Sequence, residues 1–199
     1  MTELTINTDI ELIELAYSLG QPISSRVNST IIDYLVPTES SEAHPQSLSA
    51  NFGFGNFPFH TDGAYFKIPP RFLIMRYLHG IPNPTPTVVC DMNQINSDDK
   101  EHLKHCIWKV KSRNNDFLST ILSDDEAFYR YDRCVMTPVF LNKQNERYFD
   151  SMIGELPKTE INWTINKVVI INNWTTLHAR PKVKEQEINN RTIQRIMVL

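Results

Sequence analysis

A histidine and an aspartate one residue apart, His60 and Asp62 in the segment FPFHTDGAYF, are the side chains whose types and spacing most directly suggest chemistry. Residues two apart on an extended strand point to the same face, so we expect the imidazole and the carboxylate to lie side by side. Such a pair can fill two adjacent positions on one metal ion. With a second histidine it would form the two-histidine, one-carboxylate set that suits Fe(II) and leaves positions open for oxygen.

His178 is the best candidate for the second histidine. Of the five other histidines, it alone lies beside a strongly apolar strand, in KVVIINNWTTLHAR. His102 and His105 could share one face of a helix, but the run DDKEHLKH around them is polar, which is typical of a solvated face. We expect His44, in a Pro/Ser-rich segment, and His79 to lie at the surface.

Two arginines near the end of the sequence, Arg191 and Arg195 in RTIQRIMVL, are four residues apart, which on a strand places both on one face. A cation buried in an apolar strand is unfavourable unless an anion accompanies it. That anion could be a Glu or Asp from a neighbouring strand, or a small dicarboxylate held by the planar guanidinium groups.

The pattern of apolar residues and turn residues predicts a mainly β protein with flanking helices. One helix is expected over Asp9–Leu19, capped by Thr8, and a second over Asp98–Cys106, capped by Ser97. Strands are expected at 71–77, 87–91, 108–113, 127–136, 146–149, 167–172 and 192–199. Strands follow one another rather than alternating with helices, which favours a barrel or a double-stranded β-helix (jelly roll) over a doubly wound sheet.

The length of 199 residues, with 41% hydrophobic residues, predicts a single domain. Within it we expect residues 1–46 to form the N-terminal helix and a mobile loop at 37–45, and residues 47–199 to form the jelly-roll core. The three widely spaced cysteines fit reduced thiols.

Charge and hydropathy argue against two classes of partner. The formal charge of −3 provides no bulk positive field for nucleic acid or an anionic membrane. The longest apolar runs are four residues, whereas a spanning helix needs about 20.

The first 25 residues contain no Lys or Arg, unlike the start of a signal peptide, so we expect a cytoplasmic protein.

Taken in order, HTDG, TVVCDM, NNWTTLHAR and RTIQRIMVL resemble the taurine dioxygenase and clavaminate synthase-like family of Fe(II)/2-oxoglutarate-dependent oxygenases, from about residue 47 to the end. The resemblance implies that His60, Asp62 and His178 bind iron. It also implies that Thr87, 25 residues after Asp62, and Arg191, 13 residues after His178, hold the far carboxylate of 2-oxoglutarate. The sequence PTPT leaves open whether Thr85 or Thr87 is the anchoring threonine.

The activity that the resemblance implies is the oxidation of a small organic substrate, such as an amino acid or a natural-product intermediate. Fe(II), 2-oxoglutarate and O2 would be required, and succinate and CO2 released. Halogenating relatives replace the acid with Gly or Ala, so Asp62 favours hydroxylation or a related oxidation. Arg195 is expected either to contact the cosubstrate or substrate or to play a structural part.

Two other classes of function remain as alternatives. A non-catalytic jelly-roll module that binds a metal or ligand would keep the same fold and form no succinate. A nucleic-acid demethylating oxygenase would share the chemistry, but the acidic balance and the lack of a basic stripe argue against it. The sequence does not decide between a monomer and a homo-oligomer.

Overall fold

The computed structural model describes residues 1–26, 29–45, 47–112, 115–139 and 143–199. The helices within these ranges are α1 (Asp9–Leu19), α2 (Leu48–Phe52), α3 (Ser97–His105) and α4 (Lys143–Glu155). The strands are β1 (Thr2–Thr5), β2 (Pro22–Ile23), β3 (Asp33–Leu35), β4 (Phe57–His60), β5 (Phe72–Gly80), β6 (Thr87–Asp91), β7 (Trp108–Val110), β8 (Phe117–Ser119), β9 (Met136–Pro138), β10 (Lys158–Ile161), β11 (Lys167–Asn172), β12 (Thr176–Arg180) and β13 (Arg191–Val198).

Two antiparallel sheets pack face to face. The larger has the order β1-β11-β5-β13-β2, with β3 also paired to β13, and the smaller has the order β10-β6-β12-β4. One apolar cluster joins them, because it takes Leu73, Tyr77 and Val169 from the larger sheet and Val89 and Ile161 from the smaller. This architecture is the predicted double-stranded β-helix, so the fold class is confirmed.

Further elements cover the outer faces of this sandwich. Helix α1 packs Leu12 and Ala16 on the larger sheet, in a cluster with Ile74 and Ile196. On the far side of the smaller sheet, a second core cluster combines residues of α3, α4 and the three-stranded sheet β8-β7-β9. No helix in the described ranges is both long enough and apolar enough to cross a membrane.

Several predicted elements are confirmed. Helix α1 and strands β6 and β11 have the predicted bounds, and β5 and β13 differ from theirs by up to three residues. The Thr8 capping box on α1 is present. Helix α3 begins at Ser97 with Asn96 as its cap, one residue earlier than predicted, because the Asn96 side chain accepts a hydrogen bond from the Asp99 amide. The strand predicted at 108–113 is shorter than expected, because β7 ends at Val110; residue 113 lies outside the described residues.

Two predicted strands were wrong. Residues 146–149 belong to helix α4, which buries Phe149, Met152 and Ile153 at helical spacing. In the strand predicted at 127–136, residues 127–132 make only an isolated bridge between Tyr129 and Leu122, and residues 133–135 form a turn that leads into β9. Its extended course stops at Asp132, where the backbone carbonyl accepts hydrogen bonds from the amides of Val135 and Met136.

The N-terminal segment 1–46 contributes more than the predicted helix and loop. Strands β1, β2 and β3 lie within it and are all part of the larger sheet. The segment therefore belongs to the same packed body as residues 47–199. The predicted mobility of residues 37–45 remains a prediction.

Candidate functional site

Strand pairing in the smaller sheet brings the two candidate histidines together. His60 ends β4, His178 lies in β12, and the two residues are direct partners in the antiparallel register. Side chains of such partners lie on the same face of a sheet. Their ring centroids are 4.2 Å apart, and both residues are buried.

Asp62 completes the triad from a turn rather than from a strand. It lies two residues beyond the end of β4, so the expected strand alternation is not what orients its side chain. The Asn173 side chain fixes this turn, because its amide oxygen accepts from the Asp62 N–H at 3.1 Å and its amide nitrogen donates to the Asp62 carbonyl at 3.0 Å. Asn173 directly follows β11, so the larger sheet holds the turn.

The three side chains have the geometry of a metal centre. The Nε2 atom of His60 lies 3.7 Å from Asp62 Oδ1, and the Nε2 atom of His178 lies 3.7 Å from Asp62 Oδ2. One ligand atom from each residue falls within 4.8 Å of the other two, and the residues are 5–8% exposed. Three hard or borderline donors that converge in a buried site suit a divalent ion such as Fe(II).

Hydrogen bonding within the triad supports this assignment. His60 Nδ1 lies 2.8 Å from the Pro58 carbonyl, which makes Nδ1 the protonated nitrogen and turns the Nε2 lone pair toward Asp62. A lone pair and a carboxylate oxygen are both acceptors, so they face each other favourably only with a proton or a cation between them. The residues present therefore fit a bound metal ion.

Burial and neighbouring charges shift the pKa values of His178 and Asp62 in the triad. Burial and the neighbouring charge of His60 lower the pKa of His178 to about 3, which keeps its imidazole neutral and able to bind a metal. Burial alone would raise the pKa of Asp62, but the Arg195 guanidinium and the His60 hydrogen bond hold it well below its ordinary value. Asp62 is therefore a carboxylate throughout the neutral pH range.

Arg195 joins the triad to strand β3. Its guanidinium donates to Asp62 Oδ2 at 2.8 Å and to Asp33 Oδ2 at 2.7 Å. Asp33 and Arg195 are direct partners across β3 and β13, so the anion expected from a neighbouring strand is present. Asp33 was missed in the sequence, where it lies 162 residues away from Arg195 with no local signal.

Arg191 also has a carboxylate partner. Its Nη1 donates to Glu187 Oε2 at 2.9 Å, and both side chains are at most 5% exposed. Glu187 was missed in the sequence, because a four-residue spacing indicates an ion pair on a helix, whereas Arg191 lies at the start of a strand. Both arginines line the same cavity, as the four-residue spacing predicted.

The alternation that points both arginines into the cavity continues past an irregularity that lies in β5 and not in β13. Arg191 pairs with Gly80 and Thr192 with His79, but Ile193 pairs with Tyr77, so β5 carries one extra residue at this point. Because the bulge lies in β5, strand β13 keeps its own two-residue period. The cavity-lining residues of β13 are accordingly Arg191, Ile193, Arg195 and Met197.

The structure distinguishes the two candidate threonines. Thr87 lines the cavity, and its Oγ1 accepts a hydrogen bond from the Trp163 indole N–H at 3.2 Å. This leaves the Thr87 hydroxyl proton to donate elsewhere. The Thr85 hydroxyl instead donates to Glu187 Oε1 at 2.6 Å. The geometry thus favours Thr87 over Thr85 as a group that meets a ligand.

The triad, Asp33, Thr87 and both arginines line one cavity of about 800 Å³, whereas Thr85 and Glu187 do not line it. The triad, Arg191 and Thr87 lie in its wall, and the segment 36–45 contributes Val36, Pro37, Thr38, Glu42, Ala43, His44 and Pro45. Asp132 lies in the wall as well, where burial raises the pKa of its carboxyl group despite the nearby His60. It was missed because it fell within a predicted strand.

The jelly roll is the fold of solved non-heme iron oxygenases. The oxygenase OrfP in complex with Fe, succinate and (3S)-hydroxy-L-Arg is similar over 96% of this chain and 66% of its own, with a TM-score of 0.73 and 15% identity. OrfP with Fe and alpha-ketoglutaric acid is similar over 96% and 63%, with a TM-score of 0.71 and 18% identity.

An asparagine oxygenase has the same fold. Its complex with Fe(II), 2S,3S-3-hydroxyasparagine and succinate is similar over 100% of this chain and 70% of its own, with a TM-score of 0.72 and 16% identity. This chain therefore spans roughly two thirds of the length of these oxygenases. No protein-family model matches the sequence, and no curated protein matches it.

Proposed function

We propose that this protein is an Fe(II)- and 2-oxoglutarate-dependent dioxygenase that hydroxylates, or otherwise oxidises, a small organic substrate such as an amino acid. The observation that carries the proposal is the convergence of His60, Asp62 and His178 on one wall of a cavity that also presents Arg191 and Thr87. The shared fold with solved iron oxygenases supports it.

Each side chain has a definite part in this proposal. His60, Asp62 and His178 hold the metal ion, and Arg195 holds Asp62 in place as a carboxylate. Arg191 and Thr87 hold the distal carboxylate of 2-oxoglutarate, since a guanidinium and a hydroxyl proton both donate to it. When bound, the iron and 2-oxoglutarate supply the oxidation with O2, releasing succinate and CO2. The buried walls position the reactants and limit access of water.

Asp132 suggests which chemistry the substrate carries. It is a half-buried carboxyl group in the cavity wall, and among the described residues no Lys or Arg lies within ion-pairing distance of it. An anion that is partly removed from water is stabilised by a cationic partner. We therefore propose a substrate with a positively charged nitrogen, such as the ammonium group of an amino acid.

The N-terminal segment takes part in this site, and we propose that residues 1–199 act as one oxygenase domain. Asp33 from β3 reaches the triad through Arg195, and residues 36–45 line the cavity. The small-molecule cavity favours this function over demethylation of nucleic acid. A failure to bind oligonucleotides at both low and high salt would exclude the nucleic-acid function.

Anaerobic titration with Fe(II) and 2-oxoglutarate tests the proposal directly. Without O2 we expect a weak visible charge-transfer band that His60→Ala abolishes. After O2 is admitted, we expect succinate release that an amino acid from a substrate panel stimulates. The matched control is His105→Ala, which removes an exposed histidine paired with Glu101. A band that persists in His60→Ala would refute the metal assignment, and a band without succinate would indicate a binding module instead.

A further inference from the structure

Glu187 is a fully buried carboxylate behind Arg191. It ends the 3-10 turn Glu185–Glu187 that precedes β13, and it is 0% exposed. Its Oε1 accepts from the Thr85 amide and the Thr85 hydroxyl, each at 2.6 Å, and its Oε2 accepts from Arg191 Nη1 at 2.9 Å. Both carboxylate oxygens of Glu187 therefore accept hydrogen bonds, one from Thr85 and the other from Arg191.

Only a group without a hydrogen-bond donor satisfies these partners. All three atoms that contact Glu187 are donors in this arrangement, and a carboxylate has acceptors on both oxygens. An amide in its place would set its own N–H2 group against Arg191 or against the Thr85 amide. One of the two contacts would then be lost.

The anchoring of Glu187 fixes how Arg191 meets the cavity. Thr85 holds one carboxylate oxygen with two short bonds, so the other oxygen presents a fixed acceptor to one corner of the guanidinium. A guanidinium is planar, so fixing one of its nitrogens restricts the direction of the others. Arg191 lines the cavity, where its remaining donors can face a ligand.

We infer that Glu187 is a positioning residue that orients Arg191 toward the distal carboxylate of 2-oxoglutarate. This inference rests on the proposed function. It differs from the opposite possibility, in which Glu187 competes with the ligand for the guanidinium. A competitor would have to leave Arg191 as the ligand binds, whereas the two Thr85 bonds hold Glu187 outside the cavity wall.

The test compares two anions on Mn(II)-loaded protein by calorimetry, without turnover. 2-Oxoglutarate has the distal carboxylate, and oxalate chelates a metal but lacks one. In Glu187→Gln we expect the Kd of 2-oxoglutarate to rise at least about tenfold, which is the usual effect of losing a residue that orients a ligand-binding side chain. We expect the Kd of oxalate to stay within about twofold of the wild-type value.

Asp9→Asn is the matched control. Asp9 pairs with the buried guanidinium of Arg76 on the opposite side of the larger sheet, so its loss also removes the carboxylate partner of a buried arginine. We expect this variant to be less stable and to bind 2-oxoglutarate as the wild type does. A purely structural role for Glu187 would make the two variants behave alike.

The outcomes separate this inference from the proposed function. Wild-type protein that binds oxalate but not 2-oxoglutarate would overturn both. Wild-type binding of 2-oxoglutarate, with equal or tighter binding by Glu187→Gln, would overturn the positioning role alone. If Glu187→Gln does not fold, Glu187→Asp decides, because it keeps the charge but shortens the reach; we expect weaker 2-oxoglutarate binding with oxalate binding unchanged.

Discussion

The two histidines of the triad have unequal environments. Both ring nitrogens of His60 face acceptors, the Pro58 carbonyl and the Asp62 carboxylate. Burial alone would lower the pKa of His60, but the hydrogen bond and the charge of Asp62 raise it above its ordinary value. His178 stays neutral at any physiological pH. The proton that competes with the metal ion therefore resides on His60.

Metal binding is expected to weaken as the pH falls. Because the raised pKa of His60 keeps it protonated at and below pH 6.5, an ion must displace that proton, which lowers the apparent affinity by about tenfold for each pH unit below the pKa. Calorimetric titration with Mn(II) at pH 6 and pH 8, in buffers of different ionisation enthalpy, measures both affinity and proton release. Equal affinity at the two pH values, with no proton released, would contradict the assignment.

Asp132→Asn is expected to impair substrate binding and spare the cosubstrate. Loss of the Asp132 charge removes the partner of a cationic group, so the KM for the most effective amino acid should rise at least about tenfold, while 2-oxoglutarate binding is unchanged. Succinate release as a function of amino-acid concentration measures this. The control is Asp150→Asn, which removes an exposed carboxylate paired with Arg133. An unchanged KM would exclude Asp132 from substrate recognition.

The sequence predicted the groups that are close together in the chain or marked by a distinctive pattern. His60 and Asp62 are separated by a single residue, and Arg191 and Arg195 share a strand with a clear period. Asp33 could not be predicted, because only the pairing of β3 with β13 brings it to Arg195. That pairing depends on tertiary structure and leaves no pattern in either segment.

At the scale of elements, the turn that carries Asp62 is held by a buried cation. The Arg130 guanidinium donates to the backbone carbonyls of Ala64, Phe66 and Lys67. It lies 4.9 Å from the Phe117 ring centroid, and burial lowers its pKa to about 10. Arg130 thus takes the place of the secondary-structure hydrogen bonds that this turn lacks.

Arg130→Met is expected to destabilise the fold and weaken the metal site. Three carbonyls lose their donor, which should lower the free energy of unfolding by about 2–4 kcal/mol. Urea denaturation of the metal-free protein measures this loss, and Mn(II) titration measures the effect on the site. Arg133→Met is the neighbouring control, since the exposed Arg133–Asp150 pair contributes less than about 1 kcal/mol. Equal losses in the two variants would contradict this role for Arg130.

The two elements that were predicted wrongly have different causes. In 127–136 the alternating apolar residues are buried, but side-chain and carbonyl hydrogen bonds at Asp132 turn the chain where a strand would continue. In 146–149 the window was too short to separate a helical period from a strand period. The helix is evident only when Met152 and Ile153 are included.

For the whole molecule, a metal ion in the triad would add a link between parts that strand pairing, side-chain hydrogen bonds and packing already hold together. It would tie β4, β12 and the Asp62 turn, and Asn173 links that turn to the larger sheet. At a free concentration of 100 times its Kd, an ion specific for the folded state adds about 2.7 kcal/mol of stability.

Addition of Mn(II) is therefore expected to raise the Tm by roughly 5–10 °C for a chain of this size, and chelation to reverse the shift. Thermal unfolding followed by circular dichroism measures it. His178→Ala should abolish the shift, whereas the exposed-site variant His105→Ala should retain it. A shift that survives in His178→Ala would place the ion elsewhere.

The direct pairing of His60 with His178 has a consequence for how the chain folds. A slip of one residue between β4 and β12 would turn one imidazole to the opposite face of the sheet, because side chains alternate along a strand. The ion can therefore bind only a chain that has aligned these strands in their native register. The rate at which the refolding chain binds the metal ion would therefore report how fast these two strands, more than a hundred residues apart in sequence, reach their native register.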